Sequence, residues 1–149
     1  VKIDLAALPQ RRGSGYPAPF DAPCAGRLRT TLGDAAGLTQ FGVNLLRLQP
    51  GAWSSQRHWH MREDEFVYVL AGEVVMVTEA GEEVLRAGEC AGFKAGWADG
   101  HHLQNRSAED AVVLEIGSRD DQDGVDYPDI DLKLAEGAEH FSHTDGTPY

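Results

Sequence analysis

An antiparallel all-β fold, a sandwich or a barrel, is predicted by three features of this sequence. Short β-branched and aromatic segments follow one another closely, Ala-Gly-Glu turns punctuate them, and no long stretch carries apolar residues at helical period. The first candidate strands are Leu28 to Leu32, Phe41 to Leu48, Arg57 to Met61, Glu65 to Leu70 and Glu73 to Glu79. Phe66-Val67-Tyr68-Val69-Leu70 is rich in the side chains that suit a pleated, half-buried surface, which favours strand over helix there. Ala71-Gly72-Glu73, Ala80-Gly81-Glu82 and Ala87-Gly88-Glu89 read as hairpin turns, and they separate Val74 to Thr78, Glu83 to Arg86 and Cys90 to Phe93. His102 to Asn105 and Ala111 to Gly117 complete the set. Strands this closely spaced leave no room for crossover helices, so the sheets are antiparallel.

Around this strand-rich body, residues 27–118, lie two segments of different composition. Residues 1–26 are rich in Pro, Gly and Ala and read as an extended arm. Residues 119–149 begin with the acidic run Asp120-Asp121-Gln122-Asp123 and continue into a tail with apolar residues that can pack on the body. An EF-hand alignment on Gly124 places Arg119 at the first ligand position and Ile130 at the bidentate glutamate position, so the acidic run reads as a solvated loop.

Composition narrows the function classes. A chain of 149 residues with 42% hydrophobic and 25% charged residues suits one globular core, and no apolar run is long enough to cross a bilayer. The formal net charge of −11 opposes binding to nucleic acid or to anionic membranes. The N-terminal residues lack the pattern of a secretory signal, so a cytoplasmic location is the expectation. Cys24 and Cys90 are expected to be free thiols, with Cys90 a small buried hydrophobe. Neither a phosphate-binding loop, nor a dinucleotide glycine fingerprint, nor a Gly-x-Ser-x-Gly elbow occurs.

The residues that carry chemistry are His58-Trp59-His60, Glu65, His101 and Asn105. Histidines at i and i+2 of a strand project to one face, which supplies half of a metal coordination sphere. Regular alternation from His58 and His60 would bring Arg62 and Asp64 to that face. Glu65 joins it only across a bulge or turn in Met61-Arg62-Glu63-Asp64. Asp64 is therefore the rival carboxylate and His102 the rival histidine.

These residues resemble the two motifs of a small single-domain cupin. The first motif is matched by Gly51, His58-Trp59-His60, Glu65 and Gly72, with one extra residue between Gly51 and His58. The second is matched by Gly88, Lys94-Ala95-Gly96, His101 and Asn105, with Lys94 at the usual proline and a longer gap from Gly96 to the histidine. The resemblance runs from about Phe41 to Gly117 and includes features of a largely uncharacterised bacterial branch. It implies a jelly-roll barrel, a homodimer to which the N-terminal arm could cross, and His58, His60, Glu65 and His101 as metal ligands. Asn105 is then a fold or supporting residue. One divalent transition metal ion per chain is expected, and three imidazoles with one carboxylate suit Fe, Mn, Ni, Co or Zn.

Four protein ligands leave open positions on a six-coordinate ion for a small-molecule substrate. Lys94, Arg47 and Trp97 are the candidate substrate-binding residues, with Arg57 and Trp53 as further wall or rim candidates. Trp59 is expected to face away from the metal. Unligated carboxylates, Tyr68 and His102 are possible acid–base groups, none placed by spacing. The leading expectation is a metal-dependent enzyme acting on a small oxygenated molecule, a dioxygenase of enol or diketone type. A sugar or sugar-phosphate isomerase, epimerase or lyase is the alternative, set back because Lys94 and a stray arginine supply too few cations for a phosphate. A non-catalytic binding or sensing module is the third reading.

Overall fold

The computed structural model describes residues 1–149. Twelve strands form three antiparallel sheets: β1 Arg11–Arg12, β2 Arg27–Thr31, β3 Phe41–Leu48, β4 Trp59–His60, β5 Glu65–Ala71, β6 Glu73–Thr78, β7 Gly81–Arg86, β8 Cys90–Phe93, β9 His102–Gln104, β10 Ala111–Ser118, β11 Val125–Asp126 and β12 Lys133–Leu134. The largest sheet has the order β1-β2-β3-β10-β5-β8, and the smaller ones are β7-β6-β9 and β12-β11-β4. Together they form a jelly-roll barrel. A single α-helical turn, Leu32–Ala35, ends the segment expected to remain strand through Leu32. No helix is long and apolar enough to cross a membrane.

Registers set the barrel interior. Leu46 pairs with Val113, and Val113 with Val69, while Leu48 pairs with Ala111. With Val67, Val74, Leu85, Leu103 and Ala52 these residues form the main buried cluster. Each such Val or Leu stabilises the fold by about 1.5–3 kcal/mol. The same inward faces turn polar toward the other end: Asn44 pairs with Glu115, and Gly42 with Gly117, which in turn pairs with Glu65. An apolar floor thus lies below a polar layer that begins at Glu65.

The alternation that buries Val67 and Val69 turns Phe66, Tyr68 and Leu70 outward. Cys90, paired with Tyr68, is exposed with them, contrary to the buried position expected; Ala91 and Phe93 are the residues of β8 that pack on the core. Gly72, which closes the first motif, has φ 73° between β5 and β6, and a Cβ there would come within 2.7 Å of the Asp110 carbonyl oxygen. The β5–β6 turn therefore requires glycine on two counts.

The N-terminal segment lies along its own chain. Arg11 and Arg12 pair with Arg29 and Leu28, Trp53 donates its N–H to the Pro23 carbonyl, and Gln56 Nε2 donates to the Phe20 carbonyl at 2.7 Å. Tyr16 and Phe20 pack against a second apolar cluster of Val125, Tyr127 and Leu132. N-terminal and C-terminal segments therefore meet on the same side of the barrel.

Asn105 is fully buried and ties three backbone segments together. Its Nδ2 donates to the Leu48 carbonyl at 2.7 Å and the Glu109 carbonyl at 2.8 Å, while its Oδ1 accepts from Ser107. Asn105→Ala strands two carbonyls and opens a void, and we expect it to cost about 2–4 kcal/mol in denaturant unfolding. A loss below about 0.5 kcal/mol would refute this role.

Candidate metal centre

His58 reaches the interior because its backbone forms a bridge with His101: His58 N–H donates to the His101 carbonyl at 3.1 Å and His101 N–H to the His58 carbonyl at 2.8 Å. This register sets two imidazoles side by side, with ring centroids 4.9 Å apart. His60 follows two residues along, and its segment is held to the tail by pairing with Val125. Met61 to Asp64 then form an irregular turn, so strand parity restarts at Glu65. Asp64 points elsewhere: its Oδ1 accepts the Ala95 N–H at 2.8 Å and fastens the turn after β8. His102 also turns away, with Nδ1 2.9 Å from the Ser55 carbonyl and its ring edge-on to Trp53.

Glu65 is the centre of the group. Its Oε2 lies 2.7 Å from His101 Nε2, 3.4 Å from His58 Nε2 and 3.5 Å from His60 Nε2. The ligand atoms of His58, His60 and Glu65 all fall within 4.8 Å of one another, and His101 joins through the shared carboxylate oxygen. Atoms bound to one ion at about 2.1 Å sit roughly 3–4 Å apart, so the donors of His58, His60 and Glu65 suit a divalent metal ion, with His101 Nε2 beside them against Glu65.

The far sides of two imidazoles support this orientation. His58 Nδ1 lies 2.9 Å from the Gln56 carbonyl, whose oxygen can only accept, so Nδ1 carries the hydrogen and leaves the Nε2 lone pair facing Glu65. His60 Nδ1 lies 2.6 Å from Asp123 Oδ2, the carboxylate–histidine pairing that fixes tautomer and raises ligand basicity. The His101 ring stacks on Phe93 at a centroid distance of 3.5 Å, while its buried Nδ1 lacks a partner. Burial alone would raise the Glu65 carboxyl, but the imidazoles of His101 and His58 beside it outweigh burial and hold the group well below the usual carboxylate range. Burial lowers His101 despite that carboxylate. The acidic oxygen and the nitrogen lone pairs are thus arranged for a cation.

Two cavities flank this group. The first, about 210 Å³, is lined by Lys94, Trp97, Trp59 and Asp99 together with His60, Glu65 and His101. Lys94 and Trp97 therefore stand at the site, Trp97 at its mouth with 68% exposure. Trp59, expected to face away, lies along the same wall. Arg47 is not brought to either cavity. It alternates outward between Leu46 and Leu48 on β3 and pairs with Asp110 at 3.3 Å. Arg57 is engaged with Asp129 at 2.7 Å and Glu79 at 3.0 Å. Trp53 packs on His102 and lines neither space.

The second cavity, about 250 Å³, contains residues that the motif reading did not select: Arg27, Arg29, Arg119, Glu63, Glu115 and Tyr127. It exists partly because Gly42 and Gly117 occupy inward positions in the Glu65 layer, where side chains would fill the space. The arginines overturn the premise that too few cations are available for a phosphate. A signal was present in Arg27-x-Arg29, two like side chains on one face of a strand. Asp123 had no signal beyond acidity, because its approach to His60 depends on the tail folding back.

Of the acid–base groups considered, Tyr68 is on the outer face and His102 is outside both cavities. Glu63 lines both. Its Oε1 accepts the Asp120 N–H at 2.8 Å, and burial pushes its carboxyl upward from the ordinary value. Tyr16, beside Tyr127, is pushed up to about 12 by burial, which suits a hydroxyl that stays protonated.

Comparison with known proteins adds a family to this geometry. The cupin-domain family matches residues 44–117. A crystal structure of a sugar phosphate isomerase from the cupin superfamily of Silicibacter pomeroyi is 44% identical, covers 100% of this chain and 96% of its own, and superposes with a TM-score of 0.93. A protein of Acidithiobacillus ferrooxidans, provisionally named a sugar phosphate isomerase, is 33% identical over 85% of this chain and 83% of its own, with a TM-score of 0.73. A predicted oxalate decarboxylase of Thermotoga maritima, 19% identical over 79% of this chain and 98% of its own, shares the fold with a TM-score of 0.62. No curated protein matches the chain.

The pairing of Asp123 with His60 yields a prediction. Asp123→Ala should lower metal affinity at least about tenfold in a competition titration, with Asp121→Ala, exposed on the same loop, as the unaffected control. Equal affinities in both variants would remove Asp123 from the site.

Proposed function

This chain belongs to the cupin family, and from that premise we propose that it is a metal-dependent isomerase acting on a small phosphorylated sugar. The observation that carries the reading is the convergence of three imidazole Nε2 atoms on Glu65 Oε2 at 2.7–3.5 Å, beside cavities that admit a substrate. The similarity to a sugar phosphate isomerase supports the substrate class. No observation favours the dioxygenase.

In this reading His58, His60, Glu65 and His101 hold one divalent ion. When bound, such an ion supplies Lewis-acid polarisation of a carbonyl or hydroxyl oxygen. Isomerisation between an aldose and a ketose then requires a proton to leave one carbon and return to its neighbour, while the hydroxyl proton passes to the former carbonyl oxygen. We assign that transfer to the Glu63 carboxylate, which borders both cavities without belonging to the proposed ligand set. Its Oε1 is fixed by the Asp120 N–H, and Oε2, 3.7 Å from Arg119, is the oxygen placed to take and return the proton. Phe93 and Trp97 narrow the access of water on the first-cavity side.

The test combines elemental analysis of protein purified without added metal with NMR detection of deuterium uptake from D₂O into a panel of aldose and ketose phosphates. Wild-type protein should carry about one metal per chain. It should also exchange one carbon-bound proton in a responsive substrate. His58→Ala should lose metal and exchange, and Glu63→Gln should keep metal while losing at least about a hundredfold in exchange rate. Metal-bearing protein that neither exchanges nor interconverts any sugar phosphate would refute the isomerase.

The homodimer expected of a small cupin draws support from the outer face of the largest sheet, where Phe66, Tyr68 and Leu70 are exposed beside Phe41. Light scattering should give twice the chain mass, and Tyr68→Lys should shift it toward the monomer. A wild-type monomer at micromolar concentration would sink the dimer.

A further inference from the structure

The second cavity contains cationic groups that the fold itself does not satisfy. Arg27 and Arg29 sit two residues apart on β2, paired with Leu48 and Leu46, and so share the inward face. Arg27 Nη1 donates to the Ser54 carbonyl at 2.7 Å, but its Nε is buried without a partner. The Nε of Arg29 is likewise buried and unpartnered, and Glu115 and Asp34 act on this guanidinium only from a distance. Arg119 enters from the end of β10, with its guanidinium lying over Gly42, where a Cβ would overlap it.

The carboxylates around the same space are already engaged. Glu115 Oε2 accepts from Asn44 Nδ2 at 2.9 Å, Glu65 is surrounded by histidines, and Glu63 accepts from the Asp120 N–H and stands 3.7 Å from Arg119. A guanidinium presents five donors in a planar fork that matches the oxygens of a phosphate. Taking such a group out of water without acceptors is unfavourable unless an anion completes it. Burial accordingly lowers Arg29 from its ordinary value despite Glu115.

We propose that Arg27, Arg29 and Arg119 form the seat for the phosphoryl group of the substrate, in the cavity that also borders His58, His60 and Glu65. The identity of the remainder of the substrate rests on the isomerase reading; the oxyanion seat rests on the arginines. Seating the phosphoryl group here leaves the sugar to extend toward Glu65, so the two ends of the substrate are sorted by charge: the anion to the arginines, the carbonyl to the histidine cluster.

Calorimetric titration of inorganic phosphate into chelator-stripped and metal-loaded protein tests the seat, using wild type, Arg29→Gln and, as an outer-face control, Arg47→Gln. Stripped wild-type protein should bind phosphate, Arg29→Gln should weaken it at least about tenfold, and Arg47→Gln should stay within about twofold. Without phosphate, Arg29→Gln should melt at or above the wild-type temperature, because it removes an unsatisfied charge; with phosphate, only proteins retaining Arg29 should gain in melting temperature. Phosphate binding that requires metal and ignores Arg29→Gln would overturn the proposal, as would no binding to stripped wild type. So would a variant that melts well below wild type without phosphate and still binds it normally, which would make Arg29 structural. Failure of the seat is separable from failure of the isomerase: a protein that takes up no metal when metal is supplied yet binds phosphate through Arg29 removes only the metal reading, whereas an active metalloenzyme indifferent to Arg29 removes only the seat.

Discussion

The inward parity shared by β3, β10 and β5 is the constraint on which the rest of this structure depends. Because successive side chains alternate across a strand, a register of Leu46 with Val113 and Val69 necessarily brings Asn44 to Glu115 and Gly42 to Gly117 and Glu65. One set of hydrogen bonds thereby builds both the apolar floor and the polar layer above it. Slipping any strand by one residue would expose the floor and turn Glu65 to solvent together. Stability and site geometry are coupled through the same ladder.

The irregular segments complete what the sheet begins. The turn at Met61 to Asp64 resets parity between His60 and Glu65, and Asp64 anchors it by accepting from the Ala95 N–H. Asp123 then reaches back from the chain beyond the barrel to orient His60 and also accepts the Arg62 N–H at 2.7 Å. The tail is held against the body by Tyr127, which packs edge-on against Tyr16 with ring centroids 5.6 Å apart. A polar cluster buried this deeply is tolerable because its atoms are largely paired with one another; the exceptions, His101 Nδ1 and the Nε atoms of Arg27 and Arg29, all border the site.

Charge shows the same division between chain-wide balance and local arrangement. The net charge of −11 is an average over surfaces, and it coexists with three arginines that face one cavity. Most of the other arginines are spent on the exterior, as Arg106 is on Glu82 and Arg62 on Glu136, both at 2.7 Å. Acidity of the whole chain therefore carries no information about the charge of its interior, where distances are short and water is sparse.

Sequence alone determined the β class, the order of the main strands, the turns at Gly72, Gly81 and Gly88, and the histidine–glutamate spacing that marks the family. These are local properties: side-chain preference, alternation and the positive φ of glycine act within a few residues. Which rival would join the histidines, Glu65 or Asp64, was open to parity until the turn preceding Glu65 took its form. Only the tertiary structure decided that Arg47, Tyr68 and Cys90 face outward, that Arg27, Arg29 and Arg119 face one cavity, and that Asp123 meets His60 across 63 positions of sequence. Those outcomes depend on register between distant strands and on the path of the tail, and neither leaves a periodic mark in the chain.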